Sequence, residues 1–101
     1  MTVQFEVVFQ HRAKIEVYEA LEWYPERSLK TAENFSKEIE KTVSQILLSP
    51  ARWRNSKLDF GEIPLSKFPY TIVYKVHVER KAILIVSVFH HKRHPKRKFK
   101  R

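Results

Sequence analysis

Two apolar segments near the end of the chain, Tyr70–Val78 and Ala82–Phe89, are separated only by Glu79, Arg80 and Lys81. A three-residue break between two β-rich runs of this length leaves a hairpin as the compact solution. The first arm, Tyr70-Thr71-Ile72-Val73-Tyr74-Lys75-Val76-His77-Val78, ends in polar alternation. The second, Ala82-Ile83-Leu84-Ile85-Val86-Ser87-Val88-Phe89, is apolar on both faces and therefore reads as a central strand, covered on two sides. A sheet of this kind needs at least one layer packed on it.

The first half of the chain supplies that layer. Val3, Phe5, Val7 and Phe9 alternate with Gln4 and Glu6, the two-residue period of a half-buried strand. From Arg12 the period changes, and Ala13, Val17, Ala20, Leu21 and Tyr24 form one helical stripe that stops near Pro25. A second helix is expected from about Ser28, with Ala32, Phe35, Ile39, Val43, Ile46 and Leu47 facing inward. Ser49-Pro50 closes it, since the residue before proline avoids helical angles. A further strand is expected over Leu58–Leu65, placed at an edge or a bulge by Gly61 and Pro64. The expected fold is α+β: a two-layer domain in the order strand, helix, helix, three strands, with the helical hairpin packed on a small, antiparallel-rich sheet. Residues 1–101 form one domain, with a basic tail over 90–101.

Charge is distributed unevenly. The chain has 20 Lys+Arg and 11 Asp+Glu, and seven of the basic residues fall within His90–Arg101; without them the balance is 13 against 11. Such a local field points to a polyanionic partner bound in a salt-dependent way, where a uniformly basic surface would point nowhere in particular. The plainer alternative is a solvated tail, but three His and Phe99 are interleaved with its charges. The absence of cysteine excludes zinc fingers, disulfide frameworks and thiol catalysis, and fits a reducing cytoplasm. A single glycine excludes phosphate-cradling loops and dinucleotide fingerprints. The N-terminus has neither a signal peptide's basic start nor its apolar run, and no stretch approaches the ~20 apolar residues of a membrane span, so no membrane association is expected.

The set Ala20-Leu21-Glu22-Trp23-Tyr24, Phe35 and Ile39, Ser49-Pro50, Phe68-Pro69-Tyr70-Thr71-Ile72-Val73-Tyr74 and His90-His91-Lys92-Arg93-His94-Pro95 resembles the RelE/ParE superfamily of type II toxin–antitoxin toxins, which includes the plasmid stabilisation proteins. The resemblance spans nearly the whole chain. It implies a bacterial growth-arresting toxin, a cognate antitoxin as partner, and the same element order that the periodicity gives. RelE-like members are mRNA endoribonucleases that act on the ribosome, and ParE-like members inhibit DNA gyrase without catalysis; fold alone does not choose between them. The localised charge favours the ribosome-dependent endoribonuclease, with gyrase inhibition as the alternative.

A metal-independent cut by a 2′-hydroxyl needs a base, an acid for the leaving 5′-oxygen, and cations on the phosphate. Candidates for the catalytic set are His90, His91 and Arg93, because imidazoles ordinarily titrate near ~6.5 and arginine grips phosphate bidentately. Lys57, Lys67, Lys92, Lys96, Arg97, Lys98, Lys100 and Arg101 are the candidate nucleic-acid contacts. Each has a plainer alternative: His90 as a strand-end cap, Phe68-Pro69-Tyr70 as a turn that seats an aromatic in the core. Asp59 and Glu62 stand where RelE-like toxins tend to carry bases, which counts against a nuclease; Glu62 reads as a solvated edge residue more than as a general base. Trp23, Tyr24 and Trp53 could stack on bases, but helix-one aromatics more often face a core or a partner. His77, His90, His91 and His94 lack the Cys or carboxylate that would complete a metal shell, so no metal and no cofactor are expected.

Overall fold

The computed structural model describes residues 5–23, 29–50, 54–55 and 60–92. The chain order is β1 (Glu6–Phe9), α1 (His11–Trp23), α2 (Leu29–Leu48), β2 (Arg54–Asn55), β3 (Phe60–Pro64), β4 (Tyr70–His77) and β5 (Ala82–His90). The strands form one mixed sheet in the order β1-β5-β4-β3-β2. The α+β architecture expected from the periodicity is therefore present, with one short strand added.

β5 is central, as its two-sided apolar character requires: β1 pairs with it in parallel, Val7 opposite Ile83, and β4 pairs antiparallel, Ile72 opposite Val88. β1 lies beside β5 although more than seventy residues separate them, and the helical hairpin fills the connection. Gln10 N donates to Ile85 O at 2.9 Å, and Lys14 N to Gln10 O at 3.0 Å, so the first turn of α1 starts directly at the end of the β1–β5 ladder. The β4–β5 turn closes through Lys81 N to Val78 O at 3.1 Å, with Lys81 in the left-handed region at φ 54°.

Ala13 and Ala20 of α1 and Phe35, Ile39 and Ile46 of α2 are buried with Tyr70, Ile72, Tyr74, Ile83, Ile85 and Val88, the main core between helices and sheet. Alanine on α1 lets that helix approach β5 closely. A register shift between Val73 and Tyr74 leaves Val86 without a partner in the ladder, since Val73 faces Ser87 and Tyr74 faces Ile85. On the sheet face turned away from the helices, Val73, Val86 and Phe89 form a second small cluster, with Phe60 packed against it.

β3 pairs along Gly61–Pro64 with β4, and on its other side meets β2 only through Phe60 and Gly61. Its far end, with Pro64, carries no described neighbour beyond β4, so proline sits where a sheet tolerates it. Among the described residues no helix is long and apolar enough to cross a membrane.

Candidate functional site

The strand exit at His90 and the connection between β3 and β4 meet at one end of the sheet. Leu65 N donates to Tyr70 O at 2.9 Å, Tyr70 N to Phe68 O at 2.8 Å, and His91 N to Pro69 O at 2.9 Å. Phe68-Pro69-Tyr70 thus forms a turn that delivers Tyr70, 2 % exposed, into the main core. Four rings follow one another there: Phe68 and Tyr70 each stand 5.1 Å edge-on to Phe35, and His90 stands 5.0 Å edge-on to Tyr70. Edge-to-face contacts of this kind each contribute about 0.5–1.5 kcal/mol beyond area burial.

His90 and His91 point to opposite faces of the sheet. His90 lies against Tyr70 on the helix side, and its Nδ1 accepts the Lys92 N–H at 3.1 Å. His91 lies on the other side, with Nε2 2.8 Å from Thr71 Oγ1 and its ring 6.2 Å from that of Phe89. The alternation of side chains along a strand explains the split. An acid and a base on opposite faces cannot flank one phosphate, so the structure does not bring the two candidate imidazoles together. Glu62, opposite Val73 on β3, falls on the same face as His91, next to the small cluster over which Lys75 Nζ sits 5.9 Å from the Phe60 ring.

Lys67 is exposed on the β3–β4 connection and Lys92 just past β5. Lys57, Arg93, His94, Lys96, Arg97, Lys98, Lys100, Arg101, Tyr24 and Trp53 lie outside the described residues, as does the side chain of Trp23. His77 sits at the far end of β4, opposite Ala82, while His90 is opposite Tyr70. Seven strand residues put the two roughly 23 Å apart. Among the described residues no group of three His, Cys, Asp or Glu is placed to hold a metal ion.

Two carboxylates that sequence reasoning passed over organise the site's surroundings. Glu38 of α2, only 8 % exposed, accepts both the backbone N–H of Ser66 at 2.9 Å and the Ser66 hydroxyl, which pins the β3–β4 connection to the helix. The Ser66 hydroxyl is the main reason its carboxyl is held below the ordinary value of 4.5; burial opposes this, and the Ser66 N–H, Lys41 and Lys67 reinforce it. A carboxyl with a lowered folded-state pKa stabilises the fold above its unfolded value, and that contribution is lost as pH falls through the folded value. Urea midpoints at about pH 7 and pH 3 should therefore fall further for the native chain than for Glu38→Gln, whose side chain does not titrate. Equal falls would remove Glu38 from the account. Glu16 of α1 plays the matching part on β5, accepting from Ser87 Oγ at 2.7 Å and Val88 N at 2.8 Å.

Between α1 and α2 runs an apolar groove of about 260 Å³, lined by Phe9, Lys14, Val17, Tyr18, Ser36, Ile39 and Glu40. Tyr18 on its rim is 68 % exposed and Ile15 beside it 42 %. The model of the ParE toxin of type II toxin–antitoxin systems, parDE, matches residues 7–95, nearly the whole described fold.

The chain belongs to the ParE toxin family. It is thus a toxin of a type II toxin–antitoxin system. Solved structures agree on the fold: a chain of the chromosomal ParDE system from P. aeruginosa superposes with TM-score 0.72 at 12 % identity, covering 88 % of this chain and 98 % of that one. A chain of the intact E. coli RelBE toxin–antitoxin complex superposes with TM-score 0.58 at 22 % identity, covering 88 % and 99 %. The isolated E. coli RelE toxin gives TM-score 0.56 at 22 % identity, over 85 % and 83 %. No curated protein matches by sequence. The ParE family match joins the helical hairpin and the sheet end, including His90 and His91, in one family pattern.

Proposed function

We propose that this ParE-family chain arrests growth by binding a protein target, DNA gyrase, without catalysis, and that a cognate antitoxin neutralises it. The observation that carries this reading is the divergence of His90 and His91 to opposite faces of the sheet, each with a hydrogen bond of its own. Transfer of a proton to and from one scissile phosphate needs both groups on one side. The family match supports the same reading. The groove between α1 and α2, with Ile15 and Tyr18 exposed, supports burial of an antitoxin segment on the hairpin, and the basic tail would attract acidic residues of that partner.

A second reading is favoured by one observation. Glu62 and His91 share the face away from the helices, so a ribosome-dependent mRNA endoribonuclease would use that pair, with His90 outside it. Two assays on the purified chain separate the readings. Gyrase supercoiling should be inhibited by the native chain and by His91→Ala alike, while a translating extract with a defined mRNA should show no new RNA 5′ ends. Ribosome-dependent cuts that vanish in His91→Ala, with supercoiling untouched, would move the assignment to the nuclease.

A further inference from the structure

A recess of about 300 Å³ opens between α2 and the β3–β4 connection, lined by Asn34, Lys37, Glu38, Lys41, Lys67 and Phe68. Lys37 and Lys41 lie one turn apart on α2, and Lys67 reaches the same recess from the connection; all three are exposed. Glu38 in its wall is already committed to Ser66. Among the described residues none of the three lysines is in an ion pair within 4.0 Å. Three ammonium groups against one occupied carboxylate leave the recess with a net positive charge. Nothing in the exposure of a lysine requires convergence from two elements, and here the Glu38–Ser66 clamp enforces it.

We infer that this recess is a site for the backbone of a nucleic acid strand, each of its three lysines pairing with a phosphate of its own. Lysine binds phosphate as a point charge, whereas carboxylate recognition favours the planar fork of arginine, and the recess holds no arginine. Asn34 can donate an amide N–H to a phosphate oxygen, and the half-buried Phe68 presents an apolar edge for a ribose or base. The His91 N–H bond to Pro69 O ties the β5 exit, and with it the exposed Lys92, to this same connection. The recess offers no set of base-reading donors and acceptors, so recognition is of the backbone and independent of sequence. This goes beyond toxin action on gyrase and needs no RNA cleavage.

The test uses the full chain and short fluorescein-labelled single strands of DNA and of RNA of the same sequence, with binding followed by anisotropy from about 50 to 300 mM KCl. Three phosphate contacts predict that Lys37→Gln/Lys41→Gln/Lys67→Gln flattens the plot of log affinity against log salt by roughly 2. The control Arg80→Gln/Lys81→Gln, in the exposed β4–β5 turn at the opposite end of the sheet, should change the slope by less than about 1, and DNA and RNA should bind within a few-fold of each other. An unchanged slope in a triple variant with native circular dichroism would overturn the proposal. So would binding confined to RNA, or competition by a polyglutamate peptide as effective, charge for charge, as the nucleic acid. None of these readouts involves gyrase, so failure here leaves the proposed target untouched.

Discussion

Replacement of Gly61 by alanine is expected to cost about 3 kcal/mol and to lower the urea midpoint by roughly 2 M. A methyl group at position 61 would overlap Cζ, Cε1 and the hydroxyl oxygen of Tyr74. Those atoms cannot step aside. Tyr74 is fully buried, its cross-strand partner is Gly61 itself, and its hydroxyl donates to Pro50 O at 2.5 Å. The chain must therefore either overpack the site or turn the ring and break that bond, which is worth about 1 kcal/mol. Gly61 has an ordinary backbone, so the penalty comes from space alone. A double-mutant cycle checks this: Tyr74→Leu should cost about 2–3 kcal/mol by itself, and Gly61→Ala in that background less than about 1 kcal/mol. If the two costs simply added, the clash would not be the cause.

That pairing also shows where sequence reading stops. The only glycine of the chain marks Leu58–Leu65 as an irregular strand, and this much is local information. That Tyr74 is what needs the space depends on strand register, which no local pattern encodes. The same division runs through the fold. The period of two in Val3–Phe9 and the doubly apolar run Ala82–Phe89 give β1 and β5, but their parallel pairing requires the helical hairpin to return the chain to the same side. The two-residue β2 is too short for any period, and the unpaired Val86 follows from a register shift between strands.

The candidate site divides in the same way. His90 and His91 are visible in the sequence as the end of a strand, and consecutive residues of an extended chain point to opposite faces. Their separation was therefore available from elementary geometry once the strand was carried to His90. Lys37 and Lys41 at helical spacing look like an ordinary solvated face. Only the Glu38–Ser66 contact, spanning 28 residues, brings Lys67 to them. The charge run of residues 92–101 dominates the composition, and it draws attention from the lysines that the fold itself positions.

Glu16→Ala should destabilise the fold by about 3 kcal/mol, because it leaves two buried donors without an acceptor, each costing about 1–3 kcal/mol. Ser87 and Val88 are both 1 % exposed, and both donate to the same carboxylate oxygen. The sheet irregularity at Val86 lies one residue before them, so Glu16 stabilises β5 where the regular ladder is disturbed. Arg12 stands 3.6 Å from the other carboxylate oxygen in a half-buried i,i+4 pair; helix pairs of this spacing are worth about 0.3–0.5 kcal/mol. Arg12→Ala, which leaves Glu16 in place as the acceptor for both donors, should cost less than Glu16→Ala. Glu16→Gln keeps an acceptor oxygen but loses the charge that strengthens both bonds, and should fall between the two, near 1–2 kcal/mol. Adding Ser87→Ala to Glu16→Ala removes one orphaned hydroxyl and should restore part of the loss. Amide exchange at Val88 separates this account from a general loosening of α1: its protection should drop more than that of Ile83 or Ile85 on the same strand. A uniform drop along β5 would mean that the helix, and not the carboxylate, is what holds the strand.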